Sequence, residues 1–223
     1  ALVLVPTFDE WLITNHITLP YNASTKEIKE TKKENMIDTV CICNPNNPTG
    51  YYRTDIEQIA KDSPDTKFAI DISFLDFVSI KKQPIPQGNN IVLVKSLGKN
   101  YGICGLRLGY IASENEVLMD NIKDKFPIWN INSIAEKMVD LIQKNKAEYE
   151  TSRIRIIEGT CAMHRFLSSF KHLKVFPTSA NYVMVYSKRP IKCNVKNLKH
   201  KMGVGYYRIA YRPNYHILRR FLC

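Results

Sequence analysis

Residues 96–110 read SLGKNYGICGLRLGY, and the rest of the chain is organised around them. Lys99 sits in a short polar loop after the apolar run IVLVK, and Arg107 opens a second apolar run, RLGYIAS. Gly98, Gly102 and Gly105 lie between the two runs, and glycine permits backbone conformations and close approaches that a Cβ forbids. The chain therefore makes a tight excursion that holds a primary amine and a guanidinium near one another. An amine in a pocket forms a Schiff base with a carbonyl cofactor, and a guanidinium clamps a phosphate through paired hydrogen bonds. Pyridoxal 5′-phosphate (PLP) carries both an aldehyde and a phosphate, and it is the cofactor this stretch predicts.

Competing phosphate readings are weaker. A P-loop requires a glycine five residues before its Gly-Lys pair and a Ser or Thr after the lysine, where this chain has Leu93 and Asn100. No G-x-G-x-x-G follows a strand. The plain competing reading is a surface lysine in a turn.

The length of 223 residues allows a sizeable core. No apolar run approaches the ~18 residues of a membrane-spanning helix, and no signal peptide is visible. The net charge is +11. Its lysines are interleaved with acids in helical stretches such as KEIKETKKEN, so they read as solvated helix faces rather than a nucleic-acid stripe. A basic cleft for an anionic small molecule fits better, because long-range attraction also steers small anions. Cys41, Cys43, Cys104, Cys161, Cys193 and Cys223 form no disulfide framework and no zinc motif. They read as buried thiols of a reducing compartment, the cytoplasm, and no metal site is expected.

Taken in order, ALVLVP opens on a buried strand, PTFDEW turns into a short helix, and HITLP is a second short strand. Residues 24–36 form an exposed helix or loop. TVCICN, KFAIDIS and NIVLVKS are further strands, with a helix at about 53–62 between the first two. Strands apolar along their whole length, separated by helices, predict a parallel sheet covered on both faces. Beyond residue 114 come a helix, a break at FPIWNIN capped by Asn132 or Ser133, and one long amphipathic helix over 134–170. Two alternating strands, KVFPTSANYVMVYS and GYYRIAY, and a helix from about 214 complete the chain. A boundary near 145 divides a large unit, 1–145, from a smaller α+β unit, 146–223. In open parallel sheets ligands bind at the carboxyl ends of strands, and Asn47, Asp71 and Lys99 cluster there. Asn47–Pro48 is a candidate cis peptide, and its turn could present an amide to the phenolic oxygen of PLP. The plain reading is a rigid Asn/Pro turn. Asp71 ends an apolar strand and needs a cationic partner; the ring nitrogen of PLP would serve, and a helix cap or salt bridge is the alternative.

CNPNNPTG, DISFLDF and SLGKNYGICGLRLGY together resemble the fold-type I PLP-dependent aminotransferases of class I/II, in the family's order and across essentially the whole chain. The resemblance implies an α/β PLP-transferase fold, mostly parallel sheet with helices on both faces plus a smaller C-terminal α+β domain. It implies that Lys99 is the Schiff-base lysine, that Ser96 and Arg107 hold the cofactor phosphate, that Asp71 pairs the ring nitrogen and that Asn47 contacts the phenolic oxygen. Phe8 matches the aromatic residue stacked on the ring. Phe74 stands where most of the family has tyrosine. Asn181 and Arg208 match substrate-side positions, Arg208 gripping a carboxylate or equivalent anion. Arg212 and Phe74 are more like the decarboxylase branch.

Within the family, GLRLGY and RIAYR look most like histidinol-phosphate aminotransferases and threonine-phosphate decarboxylases, and PIWNIN is similar to aminotransferase domains joined to nucleotidyltransferases. The family normally has on the order of a hundred residues before a strand like ALVLVP, so the chain resembles a truncated piece that would be a homodimer when complete. The implied reaction is transamination of an amino acid or of an amine bearing phosphate or phosphonate. Decarboxylation of an amino acid phosphate and a non-catalytic fragment are the rivals. No nucleic-acid or membrane partner is expected.

Overall fold

The computed structural model describes residues 1–12, 15–79 and 85–222. The chain opens with β1 (Leu2–Val5), β2 (Ile17–Pro20), α1 (Thr25–Glu34), β3 (Thr39–Cys43), α2 (Ile56–Lys61), β4 (Lys67–Asp71), β5 (Ile91–Ser96) and β6 (Gly109–Ala112). These strands form one sheet in the order β2-β1-β3-β4-β5-β6. All pairings are parallel except the last, where β6 runs antiparallel to β5 with Ser96 opposite Gly109. There follow α3 (Glu116–Lys123), α4 (Ser133–Lys144), α5 (Lys146–Ser168), β7 (Leu173–Val175), β8 (Tyr182–Ser187), β9 (Lys196–Asn197), α6 (Lys199–Met202), β10 (Tyr206–Ala210) and α7 (Arg219–Leu222). The second sheet, β7-β8-β10-β9, is wholly antiparallel. The family resemblance therefore anticipates the architecture correctly.

Side chains alternate along a strand, and this parity sorts the first sheet. Leu2, Leu4, Val40, Ile42, Phe68 and Ile70 face one side and pack against Ile28 of α1 and Ile56 and Ile59 of α2. Cys43 and Asp71, opposite each other in register, have the other parity. α1 starts where the sequence changes from turn to helix because Ser24 and Glu27 cap it reciprocally. Phe68 is fully buried between β3 and β5. Phe68→Ala is expected to cost about 3–5 kcal/mol, read as a lowered urea midpoint; a loss under about 1 kcal/mol would mean that the core closes over the gap.

Two expectations are corrected. The single helix over 134–170 is two, because Asn145 ends α4 and α5 begins one residue later. The β5–β6 edge of the sheet is its most open part: most of β5 is half-buried and Gly109 and Tyr110 of β6 are exposed. α4 buries only Ala135, and Ile128 and Trp129, between α3 and α4, are 94% and 91% exposed. The cysteines are not uniformly buried. Cys41 and Cys43 are, Cys193 is half-buried, and Cys104 and Cys161 are exposed, one at the start of a short 3₁₀ turn and one on the side of α5 that lines an open cleft with Tyr51 and Thr178. Cys223 lies outside the described residues. Among the described residues no helix is long and apolar enough to cross a membrane.

Candidate active site

The loop between β5 and β6 is a wide hairpin, so its two ends return to the same edge of the sheet. A Cβ on Gly98 would lie 2.8 Å from the Cα of Cys104, and Gly102 has φ +68°; both positions require glycine. Arg107 also adopts a left-handed backbone, φ 55°, uncommon for a residue with a Cβ. The turn carries its side chain to a cavity of about 790 Å³.

That cavity gathers the predicted residues Phe8, Asp71, Ser96, Lys99 and Arg107. Lys99 is exposed, its Nζ 3.5 Å from Ser96 Oγ and 5.8 Å from the centroid of the Phe8 ring. Asp71 is 8% exposed. Its Oδ1 accepts from the Ser73 amide at 2.9 Å and its Oδ2 from Trp11 Nε1 at 3.2 Å. Both donors are neutral, and among the described residues no cation pairs with this buried carboxylate. A buried charge so placed calls for a cationic partner. The Cys43 thiol beside it is held well above its ordinary value, first by burial and then by the Asp71 charge.

A second cluster lies on the Asn/Pro turn and β10. Asn47–Pro48 is cis, as the sequence reading anticipates, and so are Val5–Pro6 and Asn44–Pro45. Arg208 Nη1 donates to Asn47 Oδ1 at 2.5 Å, and its Cζ sits 4.9 Å over the ring of Tyr182. Burial lowers the guanidinium's pKa, and its Nε has no partner among the described residues. Tyr182 Oη donates to Asn46 O at 2.8 Å, tying the second sheet to the turn. Phe74 is buried edge-on against Tyr182, with ring centroids 5.1 Å apart. It is not among the residues lining the Lys99 cavity, and neither are Asn47, Asn181, Arg208 and Arg212. Asn181 is half-buried just before β8, its carbonyl accepting from the Tyr211 amide. Arg212 Nη2 donates to the carbonyl of Asn194 at 2.9 Å.

Sequence reasoning missed three contributors. Trp11 reads as the end of a short helix, and only the fold brings its indole to Asp71. Lys201 of α6 pairs with Asp9 at 2.6 Å and donates to the Thr7 carbonyl at 2.6 Å, gripping both sides of Phe8. Lys196 stands opposite Arg208 across the β9–β10 ladder. Its pKa is lowered, first by partial burial and then by the charges of Arg208 and Lys201.

The family model for aminotransferase class I and II matches residues 2–211. The chain is 32% identical over 156 residues to a CMP-5′-(3-aminopropyl)phosphonate synthase of Streptomyces rubellomurinus, covering 67% of this chain and 25% of that protein. It is 24% identical over 204 residues to a histidinol-phosphate aminotransferase of Methanocaldococcus jannaschii, covering 83% of this chain and 53% of that one. The crystal structure of L-threonine-O-3-phosphate decarboxylase from Porphyromonas gingivalis superposes with a TM-score of 0.85 at 24% identity, covering 100% of this chain and 77% of that one. The chain thus spans from a quarter to about half the length of the curated relatives it matches.

Proposed function

We infer the function from one premise: the chain belongs to the aminotransferase class I and II family. On that premise it is the cofactor-binding part of a PLP-dependent enzyme acting on an amine that carries phosphate or phosphonate. The observation that supports this most is the single cavity that gathers Phe8, Asp71, Ser96, Lys99 and Arg107. The residues fit PLP, because Asp71 is a buried carboxylate whose donors among the described residues are neutral. When bound, PLP supplies an aldehyde that anchors an amine and a ring that accepts negative charge.

The chain's own groups then have separate tasks. Ser96 and Arg107 bind the phosphate, the guanidinium by paired hydrogen bonds. Phe8 covers one face of the ring. Asp71, held by Trp11 and Ser73, keeps a positive charge on the ring nitrogen. With Oδ1 of Asn47 engaged by Arg208, its Nδ2 is the end left to donate to the phenolic oxygen. Lys99 Nζ anchors the cofactor and moves protons at the substrate carbon as a general base. Arg208, a half-buried cation whose enclosed Nε has no partner among the described residues, receives the substrate's carboxylate or equivalent anion, with Lys196 and Asn181 beside the strand that carries it. Residues 1–145 thus hold the cofactor and 146–223 face the substrate. The complete protein works as a homodimer, and the unpaired cysteines of the described chain support a cytoplasmic setting.

Transamination is the first reading. Likeness to curated L-serine phosphate decarboxylases, at 28% and 30% identity, supports decarboxylation as the second. Product analysis on amino acid phosphates separates them: a keto acid formed with amination of an acceptor, against carbon dioxide and an amine. The cofactor assignment has its own test. Borohydride reduction of PLP-saturated protein, followed by peptide mapping, should leave the pyridoxyl label on Lys99. Label on Lys95 with Lys99 clean would remove the assignment.

A further inference from the structure

Asp76 lies in the turn after β4, five residues beyond Asp71, and its carboxylate joins four segments of the chain. Oδ1 pairs with Lys95 Nζ at 2.6 Å, and both side chains are less than a fifth exposed. Oδ2 accepts from Tyr149 Oη at 2.6 Å and from Asn100 Nδ2. The Asp76 carbonyl accepts from Arg153 Nη1 at 2.9 Å. Burial alone would raise the Asp76 pKa, but the bonds from Lys95 and Tyr149 outweigh it and hold the carboxyl below its ordinary value. The carboxylate is therefore an acceptor on both oxygens, which also fixes the Asn100 amide with its nitrogen toward Asp76.

Asn100 and Tyr101 follow Lys99 directly. The opposite end of the Asn100 amide, Oδ1, is buried without a partner among the described residues, so that side chain is anchored at its nitrogen end, by Asp76 and the Tyr149 hydroxyl that the same carboxylate holds. The Tyr101 ring lies 4.3 Å, centroid to centroid, from the ring of Tyr149, which the same carboxylate holds. Among the described residues, Lys99 Nζ makes the 3.5 Å contact with Ser96 and lies 5.8 Å from the centroid of the Phe8 ring. The flank of the lysine is thus held from behind while its amine is left free.

We propose that Asp76 is a positioning residue that aims Lys99 Nζ at the aldehyde of the cofactor, and that Tyr149 makes this aim depend on the seating of α5. The proposal rests on the PLP reading above. The affected step is condensation: Nζ adds to the aldehyde carbon, the C=N bond forms, and the aldehyde oxygen leaves as water. Correct aim accelerates such a step because the partners already meet in the reacting geometry. It contributes nothing to holding the ring or the phosphate.

The test compares two ligands on the whole chain. PLP can condense with Lys99. Pyridoxine 5′-phosphate has the same ring and phosphate but a hydroxymethyl group in place of the aldehyde, and cannot. Tyr149→Phe keeps the stack on Tyr101 and removes one bond; Asp76→Asn removes the charge. Asp76→Asn should slow the appearance of imine absorbance about tenfold and Tyr149→Phe several-fold, the loss of one or two hydrogen bonds. The dissociation constant for pyridoxine 5′-phosphate should stay within about twofold. Equal weakening toward both ligands would show a purely structural network and overturn the proposal. So would unchanged condensation in Tyr149→Phe, the variant that keeps the test decisive if Asp76→Asn does not fold. Wild-type protein that binds neither ligand would remove the cofactor reading itself, an outcome distinct from both.

Discussion

Lys99→Ala should abolish turnover, lowering it by about 10⁴ or more, since in the proposed function one group supplies both the covalent anchor and the general base. Two amines line the cavity, Lys95 and Lys99. Lys95 is spent: its Nζ sits 2.6 Å from Asp76 Oδ1 and is largely enclosed. Among the described residues Lys99 has no carboxylate partner, and its 3.5 Å contact with Ser96 is at the limit of a hydrogen bond. Because Lys99 is exposed, its truncation should change stability by no more than about 0.5 kcal/mol. Single-turnover assays with PLP saturating, alongside urea unfolding, check both halves. Activity retained in Lys99→Ala and lost in Lys95→Ala would move the chemistry to the other amine.

Asp71→Asn should weaken PLP roughly 10- to 150-fold, the worth of one hydrogen bond to a charged group at about 1.5–3 kcal/mol. The geometry makes this substitution harsher than its small size suggests. N–H donors already point at both Asp71 oxygens, Ser73 at one and Trp11 at the other. An asparagine has one acceptor end and one donor end, so one N–H must then face another. The ring nitrogen would also lose its counter-charge. Turnover should fall further than affinity, by about 10²–10³, the usual cost of removing a group aimed at developing charge. Fluorescence titration with PLP measures the first effect and kcat at saturating PLP the second. Wild-type affinity in this variant would show that Asp71 does not face the ring.

The strands were legible because TVCIC, KFAID and IVLVKS are short apolar runs bounded by turn residues, a pattern that survives without tertiary context. Lys99 and Arg107 were legible because one local hairpin carries both. What escaped depends on contacts between distant segments. Trp11 reaches Asp71 across 60 positions and Tyr149 reaches Asp76 across 73, and neither pair has a spacing that periodicity could reveal. The break at Asn145 was hidden for another reason. Apolar positions recur on both sides of it, and an asparagine within a helical pattern costs too little to predict a stop. The expectation that all the cysteines are buried failed at Cys104 and Cys161 because residue type sets a preference, while an exposed 3₁₀ turn and an open cleft beside α5 set the outcome.

The hairpin that joins β5 to β6 also has a kinetic meaning. Lys99 and Arg107 are 8 residues apart, whereas Phe8 precedes Lys99 by about ninety, so closing the second loop costs about 2 kcal/mol more chain entropy than closing the first. During folding the amine and the guanidinium therefore come together well before the aromatic cover arrives over them. A phosphate-bearing ligand present at that stage would meet a half-built cradle open on one side. It would act as a template on which the early strands Leu2–Val5 and Thr39–Cys43 add to the sheet.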